Sequence, residues 1–466
     1  MPCPFSDKLQ SSSGVKSSYS TNSTVYLYSS GKKTPSKPCL VGDELPPQVF
    51  PLTTYTTWRI IVNMLKTIHK AFQFRLYPTA EQEQILASFF GQSRFVYNYF
   101  LRQRIDFYAS NKGNDKQSLN YHDTSKMLTE LKQQPDTVWL KESNSQALQQ
   151  TLRHLDNAYN HFFNHGFKFP NFKKKNRKQS FSVPQHFSVD VATKELLIPK
   201  IAPIKIILHR VIEGEMKSVT ISKTPAGKYF ASILCEIEKE IKPKENGGEV
   251  GIDLGLKSFA VTSTGEIIDS PKYLRKSEKK LKLAQKRLSR KTKGSRRRNK
   301  ARIKVARIHD NISNQRKDFL HKLSHRLISE NQAIFAEDLH VKGIMANHCL
   351  AKSVGDSGWS EFIRQLKYKS EWNGVHFGQI DRFFPSSKRC FSCGWINDSL
   401  TLKDREWACP ECGQVVNRDF NAAQNILLFG KLKTVGQELP KPKRSGRGGA
   451  VMPLVELRSP IQSLIG

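Results

Sequence analysis

The chain has 466 residues, of which 38% are hydrophobic, and this length is enough to bury two or more cores of ordinary size. Its formal net charge of +34, from 75 Lys and Arg against 41 Asp and Glu, predicts a polyanionic partner. No apolar run reaches the roughly 18 residues of a membrane-spanning helix, and no signal-peptide core opens the chain. We therefore expect no membrane role and interpret the charge as nucleic-acid binding.

Residues 1–63 are rich in Ser and Thr, carry few acids and show no sustained periodicity, which predicts disorder. Lysines scattered among serines are also typical of an organellar transit peptide, but the Arg-rich amphipathic helix of such a peptide is missing. Met64 opens the first patterned segment, as an initiator methionine would. We therefore interpret residues 1–63 as a non-essential or mis-called N-terminal extension.

The next segment alternates between strand and helix patterns. Residues 71–77 alternate as a strand, a helix with acids in its first turn begins at 78–79, and helical periodicity continues to about residue 165. Strand patterns return from about 181 to 240, broken by turn signals. These patterns predict one β-domain, formed by residues 64–78 and 180–245 and interrupted by a helical domain over 79–179. Residues 242–248 read as a linker.

From residue 249 onward the pattern changes again. A strand containing Asp253 and a hairpin at 263–265 precede a long basic helical region, a separate amphipathic helix and a strand ending at Glu337. A helix over 359–368, a strand over 375–380, a cysteine module and a last helix follow. This order is expected of an RNase H-like α/β core. We assign that core to 249–386 and 414–430, a cysteine insert to 387–413 and a flexible basic tail to 431–466.

Four cysteines form two C-x2-C pairs with fifteen residues between them: Cys390, Cys393, Cys409 and Cys412. This spacing matches a zinc site, and the glycine after each pair helps backbone amides to turn toward the sulfurs. The alternative is a set of ordinary buried thiols. Four thiolate ligands close the coordination shell of Zn²⁺, so the predicted zinc is structural.

Three separated acids follow apolar strands or open a helix: Asp253, Glu337 and Asp419. Alone, each has an ordinary explanation, because Asp253 could serve a turn, Glu337 could end a strand before a cap at Asp338, and Asp419 could be a helix N-cap. As a set they could aim carboxylates into one cleft. Two Mg²⁺ ions held there would activate water and stabilise the leaving oxygen of a phosphodiester.

Two basic segments are candidates for phosphate contact. Lys or Arg occupies eighteen of the thirty-six positions in 272–307, against a single acid, and residues 166–175 mix three aromatic side chains with a lysine cluster. A solvated face would explain the first segment, and a hydrophobic staple with exposed lysines explains the second as well as base stacking does. The predicted nucleic-acid contacts are Lys173, Lys174, Lys175, Arg296, Arg297, Arg298 and Lys300.

Residues 64 to about 430 carry an ordered series of motifs, including Phe72-x-Phe-Arg-Leu-Tyr-Pro78, Phe169-Pro-x-Phe-Lys-Lys-Lys175, Gly251-Ile-Asp-Leu-Gly-Leu-Lys257, Glu337-Asp-Leu339, Ser386-Ser-Lys-x-Cys390-x-x-Cys-Gly394, Arg405-x-Trp-x-Cys-Pro-x-Cys-Gly413 and Arg418-Asp-x-Asn-Ala-Ala-x-Asn-Ile426. With these motifs the chain resembles the TnpB (OrfB) proteins of bacterial insertion sequences, RNA-guided DNA nucleases related to the type V CRISPR effectors.

The resemblance implies a multidomain α/β protein. Its RNase H-like (RuvC-type) nuclease core would carry a zinc-ribbon insert, and its β-barrel wedge domain would be interrupted by a helical recognition domain. Asp253, Glu337 and Asp419 match the family's catalytic acids, and the four cysteines match its zinc insert. One departure concerns the pair before Arg418, which is often His-Asp in the family and is Val416-Asn417 here. If the catalytic acid is the one preceding Asn-Ala-Ala, Asp419 keeps the site complete. If the first acid also contributes to metal binding, its replacement here would reduce activity.

The leading hypothesis is therefore an RNA-guided DNA endonuclease encoded by a transposable element, with a guide RNA and double-stranded target DNA as partners. We expect a bacterial cytoplasmic, nucleoid-associated protein that is a monomer or a weak dimer. A guided DNA-binding regulator without cleavage is a second hypothesis, which the three intact acids oppose. A strand-transfer transposase is a third, although no tyrosine or other site-specific recombinase signature supports it.

Overall fold

The computed structural model describes residues 64–111, 118–401 and 403–437. The interpretation of residues 1–63, and that of the tail beyond residue 437, lie outside the described residues. No helix among those described combines the length and the apolar surface that a bilayer crossing would need.

Seven antiparallel strands form the first sheet: β1 (Met64–Tyr77), β2 (Gln179–Val183), β3 (Ser188–Asp190), β4 (Glu195–Ile198), β5 (Ile201–Ile207), β6 (Glu215–Lys223) and β7 (Tyr229–Ile241). Their order is β2-β6-β7-β1-β5-β4-β3, so β1 lies at the centre and pairs with β7 along nearly its whole length. Alternate residues of β1, Phe72, Phe74 and Leu76, are buried in the core, as the period of a strand requires.

The pairings of this sheet run from β2 to β3, and no ladder among the described strands joins those two end strands. The closed β-barrel that the resemblance implied is therefore not confirmed and stays a prediction. Two helices pack against β2 and cover part of the sheet.

The segment between β1 and β2 is helical, with α1 (Ala80–Ser110), α2 (Tyr121–Leu131), a short 3-10 helix (Pro135–Glu142) and α3 (Ser145–His165). Helix α1 begins with a capping box in which Thr79 and Gln82 satisfy each other's backbone amides. Phe100 of α1 and Leu148 and Leu152 of α3 are buried together in a core separate from that of the sheet.

A second, five-stranded sheet consists of β8 (Gly248–Leu254), β9 (Ser258–Thr262), β10 (Ile267–Asp269), β11 (Asn331–Glu337) and β12 (His376–Ile380). Their order is β10-β9-β8-β11-β12; the first three strands are antiparallel, and β8, β11 and β12 are parallel to one another. The parallel strands require helical crossovers, and the chain supplies them.

These crossovers contain α4 (Tyr273–Ser289), α5 (Arg296–Glu330), α6 (Val341–Ala346), α7 (His348–Ser357) and α8 (Trp359–Asn373). The prediction of a separate amphipathic helix after the basic region is wrong. Helix α5 is one continuous helix of 35 residues, basic in its first half and apolar on one face in its second. Its buried residues Leu320, Leu323 and Leu327 pack in the core of the second sheet.

The predicted linker at 242–248 is fixed in place by hydrogen bonds. The Lys244 ammonium donates to the carbonyl oxygens of Ile328 and Asn331, each at 3.2 Å, and so caps the C-terminal end of α5. The Lys244 backbone amide donates to the carbonyl of Gly374 at 2.9 Å. This segment is therefore part of the second sheet's surroundings rather than a free connection.

The last elements of the described residues are a small hairpin, β13 (Glu406–Ala408) and β14 (Val415–Asn417), and helix α9 (Arg418–Thr434). Helix α9 packs on the second sheet, where Ile426 and Phe429 share a core with Phe335 of β11. It extends four residues into the segment predicted as a flexible tail, so that boundary is wrong. The reason is that residues 431–434 continue a helix already held by its buried face.

Candidate active site and zinc centre

Two glycines bring α9 unusually close to the second sheet. A Cβ at Gly251 of β8 would overlap the carbonyl oxygen of Ala423 and lie 2.6 Å from the backbone nitrogen of Leu427. A Cβ at Gly430 of α9 would overlap the ring of Phe335 on β11. Because the absence of a side chain is required at both points, these glycines set how closely α9 approaches β8 and β11.

The three predicted acids meet at this edge of the sheet. The parallel register of β8 and β11 pairs Ile252 with Ala336, so the next residues, Asp253 and Glu337, lie on neighbouring strands. Asp419 lies in the first turn of α9. All three side chains are half-buried. The structure therefore brings together carboxylates that are separated by more than 80 residues in each interval of the sequence.

The electrostatics of Asp253 reflect both neighbouring acids. Burial first, and then the charges of Glu337 and Asp419, raise the pKa of Asp253 to about 7, against a lowering influence of Arg418. Burial, and then the charge of Asp338, raise the pKa of Glu337 to about 7. Carboxyl groups held this way bind divalent cations with release of protons, because the cation replaces the proton that repulsion retains.

The local explanations fail for two of the three acids. Asp253 lies within β8 and not in a turn. The N-cap of α9 is Asn417, whose side-chain oxygen accepts a hydrogen bond from the amide of Phe420 at 3.2 Å, so Asp419 is not the cap.

Glu337 does end a strand, because it is the last residue of β11. Asp338 does not cap a helix; its carboxylate pairs with the guanidinium of Arg382. A turn or cap role therefore explains neither Asp253 nor Asp419.

An arginine stands beside the third acid. The guanidinium of Arg405 lies 3.5 Å from a carboxylate oxygen of Asp419, and the Arg405 carbonyl accepts a hydrogen bond from the Arg418 amide at 2.8 Å. The hairpin β13–β14 therefore delivers a cation to the acid cluster. The sequence analysis quoted Arg405 only as the first residue of the motif around Cys409 and gave it no role beside Asp419, because nothing in that spacing points to an acid fourteen residues away.

The four cysteines form a compact cluster. Their sulfur atoms all lie within 4.8 Å of one another, with 3.8 Å between Cys390 and Cys412 and 3.5 Å between Cys393 and Cys409. Tetrahedral Zn²⁺ with bonds of about 2.3 Å separates its sulfurs by roughly 3.8 Å, so the residues fit zinc. Among the described residues the carboxylates form no comparably tight group.

Two buried asparagines connect the cysteine cluster to α9. Asn421 and Asn425 are fully buried, and the amide nitrogen of each donates to the carbonyl of Arg389 at 2.7 Å. The side-chain oxygen of Asn421 also accepts a hydrogen bond from the amide of Phe391 at 2.9 Å. The turn around Cys390 is therefore bonded to the helix that carries Asp419. Two asparagines four residues apart in an otherwise apolar helix face were the sequence signal for this contact.

The predicted phosphate contacts fall into two groups. Arg296, Arg297 and Lys300 are exposed on the first turns of α5, and Lys174 and Lys175 are exposed in the loop after α3. These five are free to meet a polyanion, and their assignment stays a prediction.

Arg298 and Lys173 each have a partner within the protein, and their assignment as phosphate contacts also stays a prediction. The guanidinium of Arg298 donates to the carbonyls of Leu288 at 3.1 Å and Lys291 at 2.7 Å, which caps the end of α4 and fixes the connection from α4 to α5. Lys173 is exposed, and its ammonium lies 3.9 Å above the ring centre of Tyr97. Partial burial lowers the pKa of Lys173 to about 8.

Comparisons with known proteins match family models along three stretches of the chain. Residues 232–348 match the OrfB_IS605 family, described as a probable transposase. Residues 359–426 match the TNB domain of Cas12f1-like proteins, and residues 64–113 match the helix-turn-helix domain of OrfB_IS605.

Two relatives match over most of their own length. The chain is 40% identical over 390 residues, 83% of this chain and 96% of the relative, to a "Putative RNA-guided DNA endonuclease" of Streptomyces pristinaespiralis. It is 34% identical over 379 residues, 78% of this chain and 92% of the relative, to InsQ of Escherichia coli K12, which bears the same description. A solved Cas12f1–sgRNA–target DNA complex is similar with a TM-score of 0.48 and 13% identity, covering 77% of this chain and 98% of that one.

Proposed function

We propose that this chain, which belongs to the TnpB (OrfB) family of transposable elements, is an RNA-guided endonuclease that hydrolyses phosphodiester bonds of double-stranded DNA. The two relatives named as RNA-guided DNA endonucleases support this proposal by their identity and coverage. The strongest structural support is the proximity of Asp253, Glu337 and Asp419 at one edge of the second sheet, where each side chain is half-buried.

The second sheet is proposed to be an RNase H-like core of the RuvC type. Its elements follow one another as a strand hairpin, helices, a strand, helices, a strand and a last helix, which supports such a core, and its strands lie in the order β10-β9-β8-β11-β12. In open α/β sheets, sites form where parallel strands end. The acids lie at the C-terminal parts of β8 and β11 and at the start of α9, which is such a place.

Asp253, Glu337 and Asp419 fit divalent Mg²⁺, because carboxylate oxygens are its preferred protein ligands. Bound there, two such ions supply an activated water and stabilisation of the leaving oxygen. Asp253 lies between the other two electrostatically, since both raise its pKa, and we expect it to serve both ions. Arg405 orients Asp419 and presents a cation to the same edge. A phosphate bound at this edge would meet the guanidinium of Arg405 and any metal that the three acids hold.

The cysteine cluster is proposed to hold one structural Zn²⁺. Closed thiolate coordination leaves no open position for water, so the zinc would stabilise the turns around Cys390 and Cys409 rather than take part in hydrolysis. Through the asparagines of α9, the folded cluster would also fix the orientation of the helix that carries Asp419.

The proposed partners are a guide RNA and the DNA it selects. Pairing between guide and target would read the sequence, while the protein contacts backbone phosphates and a short flanking motif. The hairpin of α4 and α5 supplies exposed cations for those phosphates, and it is tied to the first sheet by an ion pair between Lys228 and Asp310 at 2.7 Å. A monomer or weak dimer is proposed for the free protein.

The position before Arg418 is proposed to be a helix cap and not a metal ligand. Asn417 caps α9 through its side-chain oxygen, a role that Asp and Asn perform about equally well. The departure at Val416-Asn417 would then leave hydrolysis intact, because Asp419 remains to bind metal.

The test is guided cleavage by single carboxylate variants. Purified protein with its co-purified RNA is given matching double-stranded DNA and Mg²⁺. Asp253→Ala, Glu337→Ala and Asp419→Ala should each abolish cutting while leaving guide-dependent DNA binding near normal, because binding relies on phosphate contacts and base pairing. Asn417→Ala is the matched control on the same helix turn and should retain cutting.

Two outcomes would contradict the proposal. If Asp419→Ala still cuts, the third acid has been assigned wrongly. If the unaltered protein binds its target with RNA in Mg²⁺ and never cuts, the chain is a guided DNA-binding regulator instead.

A further inference from the structure

The end of α3 and the loop after it expose an unusual number of aromatic rings. Phe163 is 68% exposed, Phe167 62% and Phe172 46%, all within ten residues of the chain. We call these three residues the aromatic surface. Apolar patches of this kind are uncommon on a soluble protein unless they bind something.

Neighbouring rings hold two members of the aromatic surface in place. Phe163 lies over Tyr159 with an interplanar angle of 22°, and Phe167 contacts the ring of His161 at 5.2 Å.

Phe169 meets the rings of Tyr159 and Phe162 edge-to-face, with centroids 5.6 and 5.3 Å apart, and so anchors the loop to α3. The hydrophobic staple considered from the sequence therefore describes Phe169, although its side chain is still 42% exposed.

The charge around these rings selects the kind of partner. Residues 157–189 contain no acid and six cations: Lys168, Lys173, Lys174, Lys175, Arg177 and Lys178. An apolar protein surface would have to desolvate these cations, which costs free energy without returning an ion pair. A polyanion with flat apolar groups satisfies both features at once. Unpaired nucleotides have this chemistry, whereas a duplex hides the faces of its bases.

We infer that Phe163, Phe167 and Phe172 stack unpaired bases of the guide RNA while the adjacent lysines contact its backbone. This inference rests on the proposed function and adds to it a binding site for a single-stranded part of the RNA. We favour RNA over single-stranded DNA because a guide RNA would be bound to the protein before the complex meets its DNA target. Three exposed phenylalanines favour association between protein copies until a resident partner covers them.

The experiment measures binding of a fluorescein-labelled uridine 12-mer at fixed salt, with a thymidine 12-mer as the DNA arm. Phe163→Leu/Phe167→Leu/Phe172→Leu keeps apolar area and all charges but removes the planar rings. It should weaken RNA binding by about tenfold or more, because base–aromatic stacking is lost, with an unchanged dependence on salt. The triple tyrosine variant should bind nearly as well as the original protein.

Tyr108→Leu is the matched control, because Tyr108 is 61% exposed on α1 but lies two residues from Asp106. It should have no effect. Equal RNA binding by the triple leucine variant would overturn the inference, and a loss confined to the thymidine oligomer would overturn RNA as the partner. Asp253→Ala is run in parallel and should bind RNA normally. Failure of the unaltered protein to bind RNA would contradict the proposed function. Equal binding by the unaltered protein and the triple leucine variant would contradict only the inference about the aromatic surface.

Discussion

The acid edge of the second sheet and the basic hairpin of α4 and α5 are constructed in opposite ways. At the acid edge the packing is so close that one added carbon atom, a Cβ at Gly251, would displace α9. On the hairpin most cations are exposed and have no neighbour that fixes them, as at Arg296, Arg297 and Lys300. Close packing makes the first region sensitive to single changes, and repetition makes the second tolerant of them.

Gly251→Ala should produce the largest effect, because it forces apart β8 and the helix that carries Asp419. We expect cleavage to fall about a hundredfold, as misplacements near 1 Å can do, and stability to fall by about 1–3 kcal/mol. Rates of guided DNA cleavage and urea unfolding measure the two losses. Gly91→Ala is the matched control: its Cβ would meet only the Arg94 side chain at 3.9 Å, and alanine favours the helix. Normal cleavage by Gly251→Ala would show that α9 is not held by this contact.

The acid edge should also make the metal-free protein sensitive to pH. The pKa of Asp253 is raised from 3.8 to about 7 in the folded state. The free energy of unfolding is therefore highest below about pH 4, where Asp253 is protonated, and falls as the pH rises through 7 and the buried carboxyl becomes charged. Three pKa units at about 1.4 kcal/mol each set an upper limit of about 4 kcal/mol for this loss.

Urea unfolding in EDTA at pH 5 and pH 8 measures that difference. Asp253→Asn should reduce it, and Mg²⁺ should restore stability at pH 8 by binding the folded state. Asp318→Asn, which alters an exposed acid of α5, serves as the control and should leave the difference unchanged. A pH dependence that Asp253→Asn does not reduce would assign the effect to other groups.

Asn421→Ala tests whether the zinc centre and the acid edge are one unit. The amide of Phe391 would lose its acceptor inside the protein, which costs about 1–3 kcal/mol. We expect faster zinc release to a chelator, slower DNA cleavage and unchanged RNA binding. Gln424→Ala, on a less buried face of the same helix, is the control. The unaltered protein should contain one zinc by elemental analysis; a value well below one would remove the basis of this prediction.

On the hairpin of α4 and α5, neighbouring cations should respond differently to substitution. Arg296→Ala/Arg297→Ala/Lys300→Ala should flatten the salt dependence of RNA affinity by roughly 0.7–0.9 in log–log slope for each phosphate that these side chains neutralise. Arg298→Ala should instead lower the melting temperature and leave the slope nearly unchanged, because its guanidinium caps α4. Equal slopes for the unaltered protein and the triple variant would mean that these cations form only a solvated face.

The smallest effect is expected from starting the chain at Met64. The central strand β1 begins there and pairs with β7 to Ile241, so the shortened chain keeps every described strand of the first sheet. Without residues 1–63 we expect unchanged RNA binding and thermal unfolding. Aggregation of the shortened chain, or loss of RNA, would show that the extension is structural.

The sequence predicted what depends on local patterns and missed what depends on contact between distant segments. Strand alternation in β1 and the cysteine spacing could be recognised because their signals lie within a few residues. The acids could be nominated as a set, although their meeting depends on parallel strand register. The sequence offered Asp419 rather than Asn417 as the cap of α9, and it assigned Arg298 to phosphate rather than to the end of α4. Only the folded chain shows which polar group faces a helix end.

The central position of β1 has a consequence during synthesis of the protein. Its main partner, β7, begins at Tyr229, so 151 residues separate the end of one strand from the start of the other. At about 5–20 residues per second, the ribosome needs roughly 8–30 seconds to produce them. The helices between them can form from local contacts meanwhile, but β1 waits with Phe72 and Phe74 uncovered. Nascent chains of this protein should therefore depend on ribosome-associated chaperones until β7 emerges.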